Sequence, residues 1–147
     1  MKIALATDHA GFELKETLIA HLTEAGHEVV DCGAHTLDPH DDYPDFIRTA
    51  AEKVVSGEVE RGIILGGSGQ GEAIVANRLP GIRAVVYYGE PSDILRLSRE
   101  HNDANVLSLG ARFLATDEAQ NAVSTWLATP FSRDERHVRR IQKIDPR

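Results

Sequence analysis

Five short apolar-rich runs, each followed by a segment of helical periodicity, constrain this chain more than any other feature. The runs are Lys2–Thr7, His27–Cys32, Gly62–Leu65, Ile82–Tyr88 and Asn105–Leu109. Strands buried on both faces read this way. Gly11–Ala25 carries Phe12, Leu14, Leu18, Ile19 and Leu22 on one broad helical face, and Gly26 ends it. Pro44 suits the first turn of a helix running to about Ser56. Glu72–Leu79, Pro91–His101, Thr116–Leu127 and Arg133–Ile144 complete the helical segments. Strands and helices in alternation predict one α/β domain over residues 1–147, with a five-stranded parallel sheet covered on both faces.

In such a sheet, ligands bind beyond the carboxyl ends of the strands. Functional groups are therefore expected in Asp8-His9, in the segment from Cys32 onward, in Gly66–Gly71, in Tyr87-Tyr88 and in Gly110–Arg112. Gly33–Tyr43 reads as polar and irregular. Its run Asp38-Pro39-His40-Asp41-Asp42 has metal-like composition but is read as a solvated loop.

The net charge of −7 argues against non-specific binding to nucleic acid or membrane surfaces. No apolar run approaches the roughly 20 residues that span a bilayer. The stretch from Met1 to Asp8 is too short for a signal peptide, so a cytoplasmic protein is expected. The charge is unevenly placed. Arg133–Arg147 holds six basic and three acidic residues on an otherwise acidic chain. The single cysteine, Cys32, cannot form an internal disulfide and has no zinc-like spacing around it. It reads as a small buried hydrophobe, with a reactive thiol as the alternative.

Gly66-Gly67-Ser68-Gly69-Gln70-Gly71 lies between a strand and a helix. Its glycines permit close backbone approach, and amides at a helix N-terminus favour anions. A plain tight turn accounts for the same composition. No Lys-Ser/Thr follows, so this is not a nucleotide P-loop, and no acidic residue downstream suits a dinucleotide fingerprint. Glu72, just after the loop, is either an ordinary helix-start carboxylate or a general base beside an anion site.

Several segments occur in an order and spacing that resemble the type B ribose-5-phosphate isomerases and their relatives on other sugar phosphates. They are Asp8-His9-Ala10-Gly11-Phe12, Asp42-Tyr43-Pro44, Gly67-Ser68-Gly69 with Gly71, Ala76-Asn77-Arg78 and Gly81-Ile82-Arg83-Ala84. His101 to Leu107 and Arg136-His137 with Arg140 complete the set. The likeness covers essentially the whole chain. It implies a three-layer α/β/α Rossmann-like fold, and a homodimer, with a tetramer as the alternative, with sites at the subunit interface. It also implies no metal and no organic cofactor. By that likeness Asp8 and His9 contact the sugar and its phosphate, and Tyr43 lines the pocket. His101 opens the cyclic sugar, with Asn102 beside it. Gly67, Ser68, Gly69 and Gly71 bind the developing enediolate. Arg112, Arg136 and Arg140 grip the phosphate, the helix 133–144 reaching the partner subunit. Many relatives carry a cysteine base immediately before the glycine loop. This chain has Gly66 there, and resembles the branch in which the glutamate after the loop, here Glu72, is the base.

His9 could instead be a buried, hydrogen-bonded histidine, Tyr43 plain packing, His101 a helix-end cap and the cationic tail a solvated helix end. An isomerase of a tetrose or hexose phosphate fits the same scaffold. A non-catalytic receiver-like module would need an aspartate ending the third strand, where this chain has glycines.

Overall fold

The computed structural model describes residues 1–144. Strand β1 (Lys2–Thr7) passes through one 3₁₀ turn, His9–Gly11, into α1 (Phe12–Glu24). Then follow β2 (Glu28–Asp31), α2 (Tyr43–Val55), β3 (Arg61–Gly66), α3 (Gln70–Ala76), β4 (Ala84–Tyr87), α4 (Asp93–Asn102), β5 (Val106–Gly110), α5 (Thr116–Ala128) and α6 (Glu135–Ile141). The strands form one sheet in the order β2-β1-β3-β5-β4, every neighbouring pair parallel. The α/β class and the five-stranded parallel sheet agree with the expectation from sequence.

Side chains alternate across each strand and so supply two cores. On one face Ile3, Leu5, Ile63, Leu65, Leu107 and Leu109 pack against Leu18 and Leu22 of α1, Leu95 of α4 and Trp126 of α5. On the other, Ala4, Ala6, Ile64 and Val106 pack against Ile47, Ala50 and Ala51 of α2 and Ala76 of α3. The chain is thus a three-layer α/β/α sandwich.

This layering positions the site. The helix after β1 covers one face, and the helix after β3 covers the other. Their connections part at the carboxyl ends, leaving a crevice. The helix after β5 returns to the first face, so β3 and β5 part in the same way. Loops after β1, β3 and β5 meet there.

Several boundaries differ from expectation. The helix after the glycine loop begins at Gln70 rather than Glu72, because Gly69 takes φ +78° and turns the chain into it. Strand β4 begins at Ala84 rather than Ile82. Ile82 is buried in the second core, and the Arg83 N–H donates to the Asn105 side chain at 2.8 Å rather than to a strand. The last helix covers Glu135–Ile141 rather than Arg133–Ile144, since Arg133 adopts φ +59° and Asp134 is extended.

The turn between α4 and β5 is tightly held. Asp103 sits at φ +46°. The Arg99 Nη1 donates to Asp103 Oδ1 at 2.8 Å and to the Ala104 carbonyl at 2.6 Å. Arg83 Nε donates to the carbonyls of Asn102 and Asp103, each at 3.0 Å. Buried or half-buried guanidiniums that meet carbonyls and a carboxylate in this way fix the backbone that carries His101 and Asn102.

Candidate active site

A cleft of about 440 Å³ opens at the carboxyl edge of the sheet. The loop after β1 brings Asp8 and His9, the start of α2 brings Tyr43, and the loop after β5 brings Arg112. The loop after β3 and the first turn of α3 bring Gly67, Ser68, Gly71 and Glu72. The loops are tied together by their backbones. The N–H groups of Ala111 and Arg112 donate to the carbonyls of Gly66 and Gly67, at 2.8 and 3.1 Å. Ser108 Oγ donates to the Gly69 carbonyl at 2.6 Å. Gly69 is buried and shapes the loop from behind rather than lining the cleft.

Close approach explains two of the glycines. A Cβ on Gly66 would collide with the Glu72 carboxylate, and one on Gly71 would meet the Tyr43 hydroxyl at 2.6 Å. The bare Cα of Gly66 is therefore what lets the Glu72 carboxyl group occupy its place. A side chain at 66 and the Glu72 carboxylate compete for one volume. This is a steric reason for a chain to carry either a base before the loop or one after it.

Glu72 is 4% exposed. Burial pushes its carboxyl above the ordinary glutamate range. Its own backbone N–H opposes that shift, and the nearby charge of Asp8 adds to it. Asp8 is also buried, and its Oδ1 accepts from the Ala10 N–H at 2.9 Å.

His9 is held by a residue that the sequence reading left in a solvated loop. Asp41 Oδ1 accepts from the His9 N–H at 3.0 Å and lies 2.7 Å from His9 Nδ1. The expectation for this stretch is corrected at Asp41, which the chain folds back beneath the 3₁₀ turn; its composition alone carried no sign of that contact. The hydrogen bond to Asp41 raises the His9 pKa. Burial opposes it, the charges of Asp8 and Asp41 add to it, and Arg112 opposes it. Carboxylate oxygens of Asp8 and Asp41 and a ring nitrogen of His9 lie within 4.8 Å of one another, a spacing that a cation could span. The exposed Arg112 beside them favours an anion there instead.

The remaining candidates are gathered elsewhere. Helix α4 runs back from the carboxyl edge, so His101 and Asn102 lie beside the amino end of β5. The five residues of β5 separate them from the cleft by about 16 Å. There the rings of His101 and His137 stack with centroids 4.4 Å apart. His137 Nδ1 is 2.8 Å from Ser132 Oγ. Burial, the neighbouring His101 and then Arg136 lower the His137 pKa. Arg136 and Arg140 are exposed on α6, beside this pair. Within one chain the structure thus assembles two clusters, at opposite edges of the sheet. Cys32 belongs to neither. It packs at the rim of the second core, and burial pushes its thiol up to about 11.

A parallel sheet whose switch-point cleft pairs a buried carboxylate with glycine-loop amides and an arginine suits proton transfer on a small anionic substrate. Comparison with known proteins gives the class a family. The sequence profile described as "Ribose/Galactose Isomerase" matches residues 3–144. Ribose-5-phosphate isomerase B of Mycolicibacterium paratuberculosis is 45% identical over 141 residues, covering 96% of this chain and 87% of the relative. The Escherichia coli protein of that name is 43% identical, covering 97% and 93%. Among solved structures, ribose-5-phosphate isomerase B of Clostridium thermocellum superposes with a TM-score of 0.93 at 46% identity, covering 99% and 95%. The Mycoplasma genitalium protein with bound ribulose-5-phosphate superposes at 0.91 with 37% identity, covering 97% and 93%. The chain belongs to the ribose/galactose isomerase family and is an isomerase.

The Gly66–Glu72 contact makes a prediction. Gly66→Ala should displace the Glu72 carboxylate and lower kcat by about 10²-fold or more. Steady-state kinetics beside a thermal melt checks it; full turnover in a folded variant would show that the contact is dispensable.

Proposed function

We propose that this chain is an aldose–ketose isomerase that interconverts ribose 5-phosphate and ribulose 5-phosphate through a cis-enediolate. In this reading it works as a homodimer in the cytoplasm. The observation that carries the reading is the buried Glu72 carboxylate at the foot of a cleft lined by loop amides. A base that takes a proton from carbon must be ionised yet poorly solvated. Glu72 lies in the first turn of α3, where the backbone amides favour its charged form, while burial raises its basicity.

The reaction needs four things from the chain. The sugar ring must open, which requires one group to take the anomeric hydroxyl proton and another to protonate the ring oxygen. His101 serves the first task, with Asn102 holding the substrate. Glu72 then takes the C2 proton and returns it to C1. The oxyanion that forms is met by Ser68 and by the amides of Gly67 and Gly71, fixed donors that need no reorganisation. The phosphate, gripped by His9, Arg112, Arg136 and Arg140, supplies remote binding energy that positions the reacting carbons. Asp8 and Tyr43 hold the sugar between these ends.

The separation of the two clusters by the length of β5, about 16 Å, supports a second copy as the source of His101, Asn102, Arg136 and Arg140. The exposed aromatic pair Tyr88 and Phe113, with ring centroids 5.9 Å apart, provides apolar surface for such a contact.

Four tests follow from this reading. Glu72→Gln should reduce kcat by about 10³-fold while sugar-phosphate affinity survives. In the unsubstituted enzyme the acid limb of kcat should lie above the ordinary glutamate range, because the ionised base is lost as pH falls through its raised pKa. Full activity in the variant removes Glu72 as base. Mixing the Glu72→Gln and Arg140→Ala chains after dissociation should restore about a quarter of the activity, since random pairing gives half of the dimers one intact site. No recovery counts against a shared site. A panel of four-, five- and six-carbon sugar phosphates should give its highest kcat/KM with ribose 5-phosphate; a tetrose or hexose phosphate in first place transfers the scaffold to that substrate.

A further inference from the structure

We propose that Asp41 orients His9 and makes it a fixed cation, so that His9 and Arg112 form a matched pair for a phosphate dianion. The ligand named here rests on the reading under Proposed function; the contact geometry does not.

Asp41 grips a single residue twice. One oxygen, Oδ1, receives the His9 backbone N–H at 3.0 Å and faces the His9 ring Nδ1 at 2.7 Å. Backbone and ring are thus anchored to the same atom, which limits rotation of the imidazole. With Nδ1 occupied, Nε2 is the ring nitrogen left for a ligand. Only a ring that carries both protons can donate at Nδ1 and at Nε2 together.

The surroundings of Asp41 require that charge. Its side chain is 9% exposed, and Oδ2 is buried with no hydrogen-bond partner among the described residues. A buried carboxylate that meets so few donors is strongly unfavourable unless a cation faces it. His9 is the partner the structure provides. The other charged groups near His9 are Asp8, with Oδ2 3.9 Å from Nδ1, Arg112 and Glu72 lining the same cleft, and Glu13, which lines the neighbouring hollow. Anions predominate on the His9 side, and they favour the protonated ring. A dianion entering the cleft would be repelled by Asp8 and Asp41 unless a cation stood between. The ring held by Asp41 occupies that place, and the exposed guanidinium of Arg112 provides the second positive group. Asp41 acts through His9 and is a positioning residue.

The test separates charge from contact. Asp41→Asn keeps an acceptor oxygen for both His9 hydrogen bonds and removes the negative charge; Asp41→Ala removes both. Inorganic phosphate binding is followed by calorimetry across pH, with NMR titration of the labelled histidine rings and kinetics on ribose 5-phosphate. In the native protein the His9 ring should titrate above the ordinary histidine value of about 6.5, and in Asp41→Asn it should fall back toward it. At a pH between the ring titrations of the two proteins, phosphate affinity in Asp41→Asn should weaken severalfold, and the difference should close near pH 5.5, where the ring is protonated in both proteins. KM should rise by more than kcat falls. Asp41→Ala should stay weak at the acid end as well.

A phosphate-affinity loss in folded Asp41→Asn that does not change with pH overturns the proposal. So does a native His9 ring that titrates at or below the ordinary value, a measurement that needs no variant. Ring titration and phosphate binding do not depend on turnover. A protein inactive on ribose 5-phosphate but with these pH effects intact refutes the substrate assignment and leaves the role of Asp41 standing.

Discussion

The contact between the Glu72 carboxyl group and the bare Cα of Gly66 is the constraint on which the cleft depends. A carboxylate removed from water is unfavourable, and a fold keeps one only where backbone and neighbours leave it no alternative position. Here β3 ends on a residue without a side chain, Gly69 turns the chain at φ +78°, and α3 begins in time to lay Glu72 back over the strand end. Tyr43 rests against Gly71 by the same logic of close approach. The loop's glycines thus admit neighbouring side chains as well as a ligand.

The sheet imposes a second constraint. Parallel strands put all their carboxyl ends on one edge and the ends of the returning helices on the other. Glu72 and the glycine loop lie on the first edge, and His101, Asn102 and the cationic helix α6 on the second. Buried Arg99 and half-buried Arg83 clamp the Asp103 turn, so neither cluster drifts toward the other within a chain. The cationic helix α6 thus lies at the edge remote from the cleft.

Much of this was legible beforehand. Strand and helix alternation predicted the sheet, because a strand buried on both faces must be apolar at nearly every position. The rule that ligands bind beyond the carboxyl ends of parallel strands selected Asp8-His9, the segment from Cys32 onward, Gly66–Gly71, Tyr87-Tyr88 and Gly110–Arg112. The structure brings Asp8, His9, Gly67, Ser68, Gly71 and Arg112 together with Glu72, and leaves Cys32, Tyr87 and Tyr88 outside the cleft. Boundaries were less legible. The late start of α6 depends on a positive φ at Arg133, a conformation that an arginine does not advertise. Asp41 was hidden for a related reason: a polar loop residue and a buried hydrogen-bond acceptor have the same composition, and only the path of the chain distinguishes them.

The amino-acid sequence by itself determined the α/β class, the glycine loop with its following glutamate, and the family likeness, because these depend on local periodicity, residue size and motif order. The tertiary structure alone decided the strand order, the burial of Glu72 against Gly66, the grip of Asp41 on His9 and the separation of His101 from the cleft. Each of those joins residues distant along the chain, and their meeting is set by how two layers of helices close over one twisted sheet rather than by any local preference.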